Sequence, residues 1–163
     1  MGAGCTRLTV DYDWSPVNAQ TRPRVLLADD YDGLLTAWRR LLEPSCDVVG
    51  SVRDGHALVE AAMTLEPDVI VADLAMPKMS GLDACRTITH SLPKTKVILV
   101  TAGGDEYIAR AAFRAGASAF VLKYTAAQDL LVAVERAMLG GTYCTPAVRA
   151  HAADVQEATG PSN

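Results

Sequence analysis

The chain has 163 residues, of which 50% are hydrophobic and 21% are charged, and its formal net charge is −4 at pH 7. This length suits one well-buried domain rather than two. The acidic balance, with lysines and arginines scattered singly, disfavours direct binding of nucleic acid, and no apolar stretch reaches the roughly 18–20 residues that a membrane span requires.

Residues 1–22 lack regular periodicity and contain several turn formers, which predicts a flexible N-terminal extension. They carry no signal-peptide pattern, so we expect a cytoplasmic protein without membrane attachment. The start fits the pattern Met-Gly-x-x-x-Ser/Thr for N-myristoylation, with Thr6 in the last place and Cys5 as a second lipid site. A pattern this short arises easily by chance, and a lipid anchor is therefore not predicted.

From residue 24 onward, short apolar segments alternate with amphipathic ones. Five segments rich in Val, Ile and Leu are bounded by turn signals, which is typical of strands covered on both faces. They are "VLLAD" (25–29), "DVVGSV" (47–52), "DVIVAD" (68–73), "KVILVT" (96–101) and "AFVLK" (119–123). Buried strands of this kind predict a parallel sheet.

The segments that follow these strands carry apolar residues at helical spacing. The predicted buried faces are Leu34, Leu35, Trp38, Leu41 and Leu42; Leu58, Val59, Ala62 and Met63; Leu82, Cys85 and Ile88; Ile108, Ala111 and Ala112; and Leu130, Leu131, Val134 and Met138. Five strand and helix pairs in strict alternation predict an α/β domain with a doubly wound parallel sheet over residues 23–140. The four cysteines form no CxxC pair, so neither a zinc site nor a disulfide scaffold is predicted.

Gly140 and Gly141 predict the end of the last helix. Residues 141–163 are too few for a further domain. We predict a linker or C-terminal tail there, with no DNA-binding domain in this chain.

Polar residues stand at the ends of four predicted strands. Asp29 and Asp30 end the first, Asp73 the third, Thr101 the fourth and Lys123 the fifth. The carboxyl ends of parallel strands share one edge of the sheet, so these side chains are expected to converge there. A single acid at a strand end is usually solvated or caps a helix, but five polar residues at one edge indicate a site.

The predicted site is suited to a phosphoryl group held with a metal ion. Two carboxylates about 4 Å apart repel by about 4 kcal/mol at an effective dielectric constant of about 20, and Mg²⁺, which prefers oxygen ligands, relieves that repulsion. A cation, an ammonium and a hydroxyl together suit a tetrahedral oxyanion. Because the chain has no GxxxxGK[ST] loop, a nucleoside triphosphate is not expected, and covalent phosphorylation of Asp73 is the favoured alternative.

The segments "VLLADD", "VIVADLAMPKMSG", "VILVTA" and "AFVLK", in this order and spacing, resemble the receiver domain of bacterial two-component response regulators. The resemblance covers about residues 23–140 and implies a flavodoxin-like (βα)5 sheet with strand order 2-1-3-4-5. The segment "GASAFVLKYTAAQDLLVAVERAMLGGTYCTPAV" is most similar to the NarL/FixJ type. In that type the receiver is followed by a linker and a LuxR-type DNA-binding domain.

The resemblance implies a phosphoacceptor and a set of Mg²⁺ ligands. Asp73 would accept a phosphoryl group from a sensor histidine kinase. Asp30, Asp73 and the backbone carbonyl of Ala75 would bind the metal, and Asp29 would act through a coordinated water. The chain would then be a phosphoacceptor switch with self-phosphorylation and self-dephosphorylation at most, rather than an enzyme.

The resemblance also implies a switch. Lys123 would pair with the phosphoryl oxygens, Thr101 would move to hydrogen-bond one of them, and Phe120 would turn inward with Thr101. An ordinary core position explains Phe120 equally well. The expected output is a changed surface around the fourth helix, fifth strand and fifth helix, which would form a homodimer or release a DNA-binding domain.

Two departures from the family pattern have consequences. Tyr124 follows Lys123 where many receivers have a cis-proline, and a cis bond before a non-proline residue costs roughly 3 kcal/mol, so the peptide geometry there is left open. Ala75 and Gly103 are small where some relatives carry larger polar groups. Water would then reach the acyl phosphate easily, which predicts a short-lived phosphoryl state.

The favoured interpretation has three alternatives. The chain is either the receiver part of a transcription factor, which is favoured, or a stand-alone receiver that signals by protein contact. An Asp-nucleophile Mg²⁺ phosphatase of the haloacid dehalogenase type is less favoured, because it normally shows DxD at the first strand end. A degenerate receiver that serves only as a scaffold is disfavoured by the complete set of acidic and basic residues.

Overall fold

The structure, a computed structural model, describes residues 22–148. Strands and helices alternate along the chain. They are β1 Arg24–Ala28, α1 Asp32–Leu42, β2 Asp47–Val52, α2 Gly55–Leu65, β3 Val69–Asp73, α3 Gly81–Ser91, β4 Lys96–Thr101, α4 Glu106–Arg114, β5 Ala119–Leu122, a 3-10 turn Lys123–Thr125, α5 Ala126–Met138 and β6 Tyr143–Cys144. The N-terminal extension with its myristoylation pattern, and residues 149–163, lie outside the described residues.

The six strands form one parallel sheet in the order β2-β1-β3-β4-β5-β6. The first five positions confirm the predicted order 2-1-3-4-5 and the doubly wound α/β class. The sheet places β1 and β3 side by side, and the strand order reverses between them. Ligands of such sheets bind beyond the carboxyl ends of the strands at this point.

Side chains that alternate along the strands feed two separate hydrophobic cores, one on each face of the sheet. Leu26 of β1 packs into the core beneath α2, α3 and α4, whereas Leu27 packs into the core beneath α1 and α5. Cys85 is fully buried in α3, as predicted. Among the described residues, no helix is long and apolar enough to cross a bilayer.

The strand β2 differs from its prediction. Its six residues are exposed or half-buried, whereas all of β3 is buried. β2 lies at the edge of the sheet and has a neighbour on one side only. The residue types of a segment predict that it forms a strand. The position of that strand in the sheet determines how much of its surface is buried.

Three helices begin at side chains that cap them. Asp54, Ser80 and Asp105 each accept a hydrogen bond from the backbone three residues on, at the starts of α2, α3 and α4. Glu66 directly follows α2 as its C-cap, and its φ of 45° lies in the left-handed region. A non-glycine residue in that region carries a cost of roughly 1–2 kcal/mol.

The strand β6 has no counterpart in the sequence prediction. Tyr143 and Cys144 pair in parallel with Ala119 and Phe120, and they cover the outer edge of β5. Val148, the last described residue, is still packed against the domain, with 3% of it exposed. The described fold therefore continues past residue 140, and the expected output surface over α4, β5 and α5 includes this added strand.

Candidate functional site at the carboxyl edge of the sheet

The five polar residues predicted at the strand ends lie together at the carboxyl edge of the sheet. Asp29 directly follows β1, Asp73 ends β3, Thr101 ends β4 and Lys123 opens the turn after β5. Carboxylate oxygens of Asp29, Asp30 and Asp73 all lie within 4.8 Å of one another. The parallel sheet thus brings into one cluster three acids that are distant along the chain.

The three acids differ in their contact with solvent. Asp29 is 0% and Asp73 4% exposed, whereas Asp30 is exposed. Two carboxylates therefore form the floor of the cluster and one forms its rim. Solvent or a ligand reaches the cluster from the side of Asp30.

The ammonium of Lys123 lies between the two buried acids. Its Nζ is 3.0 Å from Asp29 Oδ2 and 3.0 Å from Asp73 Oδ2. Only the contact to Asp73 has hydrogen-bond geometry, and Asp29 Oδ2 is a buried oxygen without a hydrogen bond among the described residues. The other oxygen of the Asp29 carboxylate, Oδ1, accepts a hydrogen bond from the backbone amide of Tyr31 at 2.8 Å.

The protonation of the pair follows from burial and charge. Burial raises the pKa of Asp73 above its ordinary value, against the opposing hydrogen bonds from Lys123 and the Ala75 amide. Burial acts to lower the pKa of Lys123, but the close contacts with the negative charges of Asp29 and Asp73 outweigh it and raise that pKa. The ammonium therefore stays charged, and its hydrogen bond and charge oppose the rise that burial causes in the pKa of Asp73.

The residues fit a divalent cation. Three acids and one ammonium leave a net negative charge, and the buried Asp29 Oδ2 has the Lys123 ammonium beside it but no hydrogen bond among the described residues. Hard cations such as Mg²⁺ take carboxylate oxygens and water as ligands. The carbonyl of Ala75 stays a predicted ligand, because the contact described for this residue is its amide, which donates to Asp73 Oδ1 at 3.2 Å.

Two glycines hold the turn after β3 against the rest of the site. A Cβ atom on Gly81 would overlap the backbone carbonyl oxygen of Asp73, and one on Gly55 would overlap the carbonyl of Met79. Only glycine permits both close approaches. No sequence pattern marks Gly55, because the contact joins the start of α2 to the turn after β3, which lies apart from it in the chain.

Thr101 and Phe120 are linked through the loop after β4. The Thr101 hydroxyl donates to the carbonyl of Gly103 at 2.8 Å, so it is engaged in that loop rather than with Asp73. Phe120 is fully buried, and a Cβ atom on Gly104 would lie 2.6 Å from its ring. A buried ring satisfies both the switch and the core interpretation of Phe120, and the choice between them stays open.

Tyr124 lies at the surface beside Lys123, with 71% of it exposed. The described backbone contains no cis peptide bond, so the bond between Lys123 and Tyr124 is trans. The side chain of Lys123 reaches the acids without a cis bond.

A mostly apolar groove of about 450 Å³ borders the site between α1 and α5. Leu34, Trp38 and Leu41 line it from α1, and Lys123 lies among its lining residues. Trp38 is 2% exposed, so it supports the groove mainly from within the core.

Comparison with known proteins identifies the family to which this geometry corresponds. Residues 25–135 match the family model of the response regulator receiver domain. The chain is similar to the uncharacterized transcriptional regulatory protein YxjL of Bacillus subtilis, with 35% identity over 119 residues that cover 72% of this chain and 55% of that protein. It is also similar to the transcriptional regulatory protein DegU of Brevibacillus brevis, with 32% identity over 131 residues that cover 79% and 56% of the two chains.

Solved structures give the same result. The signal receiver domain of NarL from Mycobacterium tuberculosis is 31% identical, with a TM-score of 0.69 over 74% of this chain and 98% of that one. A LuxR-family response regulator from Aurantimonas is 28% identical, with a TM-score of 0.79 over 83% of this chain and 99% of that one. The chain spans little more than half the length of the curated relatives described above.

Proposed function

The chain belongs to the response regulator receiver family, and from that premise we propose that it is the phosphoacceptor domain of a two-component system, with Asp73 as the phosphorylated residue. One observation carries the proposal above all. Lys123 Nζ lies 3.0 Å from the buried carboxylate of Asp73, inside a cluster of three acids. A nucleophilic carboxylate next to a fixed cation is what covalent phosphoryl transfer requires.

In the proposed step, an Asp73 carboxylate oxygen attacks the phosphorus of a phosphohistidine on a sensor histidine kinase. The new P–O bond forms as the P–N bond breaks, and the histidine nitrogen keeps the electron pair and takes up a proton. Asp73 enters the step ionised and needs no base. Lys123 favours the ionised form of Asp73 against burial and compensates the charge of the incoming phosphoryl oxygens.

Asp29, Asp30 and Asp73, with the carbonyl of Ala75, would hold the Mg²⁺ ion, Asp29 through a water. When bound, the ion offsets the repulsion among the acids and the charge of the phosphoryl group. The buried Asp29 Oδ2 lies 3.0 Å from the Lys123 ammonium but accepts no hydrogen bond among the described residues, which supports this assignment because a water on the ion would donate one to it.

Phosphorylation would shift the domain between two arrangements. The Thr101 hydroxyl would leave the Gly103 carbonyl for a phosphoryl oxygen, and this would release the loop that packs on Phe120 through Gly104. The added charge is satisfied by Lys123 and Thr101 only in the second arrangement, and this differential contact drives the shift.

The proposed partners follow from the site and from the relatives. The α1–α5 groove beside Lys123 offers an apolar surface on which a kinase helix would rest while its phosphohistidine reaches Asp73. Relatives that are named transcriptional regulators extend well beyond the matched region. We therefore favour control of transcription through a LuxR-type DNA-binding domain outside this chain, with a homodimer in the active state, over a stand-alone receiver.

Incubation with acetyl phosphate and Mg²⁺, followed by intact-mass measurement, tests the proposal. The wild-type chain should gain the mass of one phosphoryl group, and Asp73→Asn should gain none. Asp47→Asn serves as the matched control, because Asp47 is an exposed acid at the start of β2. The candidate site lies at the other edge of the sheet, beyond the carboxyl ends of the strands. No adduct on the wild-type chain, or equal adducts on both variants, would refute the assignment, and steady turnover of small phosphate esters would favour the phosphatase alternative.

A further inference from the structure

A third buried acid lies outside the acidic cluster. Asp129 in α5 is 9% exposed and accepts three hydrogen bonds from hydroxyl groups. Its Oδ2 accepts from Thr125 at 2.6 Å and from Thr145 at 3.0 Å, and its Oδ1 accepts from Tyr143 at 2.8 Å. These four residues form what we call the hydroxyl cluster.

The hydroxyl cluster joins two parts of the fold. Thr125 ends the 3-10 turn that Lys123 opens, whereas Tyr143 belongs to β6 and Thr145 directly follows it. Asp129 therefore connects the turn that carries the site's ammonium to the C-terminal strand.

A second connection reinforces the first. The amide of Thr145 donates to the carbonyl of Phe120 at 3.0 Å, and its hydroxyl accepts from the amide of Leu122 at 3.1 Å. Leu122 directly precedes Lys123. The backbone on either side of Lys123 is thus tied to Thr145, on one side directly and on the other through Asp129.

The bonding pattern favours an ionised acid. A carboxylate accepts hydrogen bonds without donating any, so all three hydroxyls can point towards it. Burial acts to raise the pKa of Asp129, but hydrogen bonds from Thr125, Tyr143 and Thr145 outweigh it and lower that pKa. Hydrogen bonds to a charged acceptor are among the stronger ones, and the cluster therefore holds its members firmly.

We propose that Asp129 is a positioning residue for phosphoryl transfer, which holds the turn of Lys123 in place as long as Tyr143 and Thr145 are docked against β5. The inference rests on the proposed function, in which Lys123 compensates the incoming phosphoryl charge. It follows that whatever pulls residues 143–145 away from β5 also weakens the site. By reciprocity, a change at the site alters how firmly these residues are docked.

Removal of a single hydroxyl tests the link to the turn. Thr125→Val keeps the shape of the side chain but cannot donate to Asp129. With acetyl phosphate and saturating Mg²⁺, the full chain carrying Thr125→Val should form the adduct on Asp73 about 10-fold more slowly, because small misplacements of a reacting group cost up to about 100-fold. Thr125→Ser keeps the hydroxyl and should restore the wild-type rate.

The matched control is Thr95→Val. The Thr95 hydroxyl is also buried and donates at 2.8 Å to the carbonyl of Pro67, but it precedes β4, at the edge of the sheet opposite the site. Thr95→Val should lose similar stability and keep the wild-type rate of phosphorylation. Equal slowing by both Thr→Val variants, no slowing by Thr125→Val, or failure of the Ser rescue would overturn the inference.

Hydrogen exchange provides a readout that does not depend on phosphorylation. Tyr143→Phe removes one hydrogen bond to Asp129, and the amides of residues 123–126 should then exchange about five-fold faster, as expected for the loss of one hydrogen bond, whereas those of β1 stay unchanged. Unchanged exchange in the turn would refute the link to β6. Absence of a wild-type adduct would sink the proposed function, whereas a reactive wild type with an equally reactive Thr125→Val would sink the positioning role alone.

Discussion

Neutralising Asp73 should stabilise the domain in the absence of Mg²⁺ and destabilise it, relative to wild type, when Mg²⁺ is saturating. The substitution Asp73→Asn keeps the shape of the side chain and removes its charge. The change in the free energy of unfolding therefore separates two contributions: the destabilisation by the buried charge of Asp73 and the stabilisation by bound Mg²⁺.

The size of the effect without metal follows from the distances. At an effective dielectric constant of about 20, the Asp73 charge gains about 5.5 kcal/mol from Lys123 Nζ, which is 3.0 Å away. It loses at least about 3.5 kcal/mol to Asp29, which lies within 4.8 Å. Burial of the carboxylate costs several kcal/mol more. The sum favours Asp73→Asn by on the order of 1–2 kcal/mol.

The pH dependence has a definite sign. Because the pKa of Asp73 is raised in the folded state, the folded chain binds a proton more tightly than the unfolded chain. The contribution of Asp73 to stability is therefore fully present below its unfolded pKa of about 4 and is lost as pH rises through the raised value. The advantage of Asp73→Asn should vanish in acid and grow towards neutral pH.

Magnesium should reverse the order. A ligand at 100 times its dissociation constant stabilises the folded state by about 2.7 kcal/mol, and Asp73→Asn lacks one of the proposed ligands. Urea unfolding followed by circular dichroism, in EDTA and in MgCl₂ at matched ionic strength, measures both states. Asp47→Asn should respond to neither condition, and the reasoning fails if Asp73→Asn is less stable than wild type in EDTA or if Mg²⁺ stabilises both chains equally.

Further predictions concern the backbone and the lifetime of the adduct. Gly81→Ala should lower the free energy of unfolding by about 3 kcal/mol, because the new Cβ overlaps the Asp73 carbonyl. Gly103→Ala should change it little, because nothing lies within 4 Å of a Cβ at that position. Urea titration of the two variants measures the difference. Glu66→Gly should raise the free energy of unfolding by about 1 kcal/mol by relieving the left-handed φ of 45°, and Glu66→Ala should not. The phosphoryl group on Asp73 should be short-lived in buffered Mg²⁺, and a half-life of many hours by intact mass would contradict this.

The site was readable from the sequence because its residues stand where local patterns end. The run "DVIVAD" predicts a buried strand, and Asp73 ends both that run and β3. Parallel pairing then brings the strand ends to one edge without further information. For the same reason Asp29, Thr101 and Lys123 were identified from order and spacing alone.

Other features depend on contacts that no local pattern encodes. β6 has two residues, too few for any periodicity, and it exists because the edge of β5 has unpaired backbone groups. In the sequence, Asp129 is one polar residue in a helical pattern. Its role depends on the hydrogen bonds from Tyr143 and Thr145, which are distant from it along the chain. Gly55 matters only because Met79 lies against it.

The sequence by itself determined the fold class and the members of the acidic cluster, since hydrophobic periodicity and chain order are sufficient for these. The order of the first five strands followed from the resemblance of the motifs to receiver domains. The tertiary structure alone decided which acids are buried, where Lys123 places its ammonium, that the Thr101 hydroxyl rests on Gly103, and that the C-terminal strand closes the edge of β5. These depend on distances between residues far apart in the chain, where hydrogen bonds and charge interactions act over a few ångströms and leave no periodic trace in the sequence.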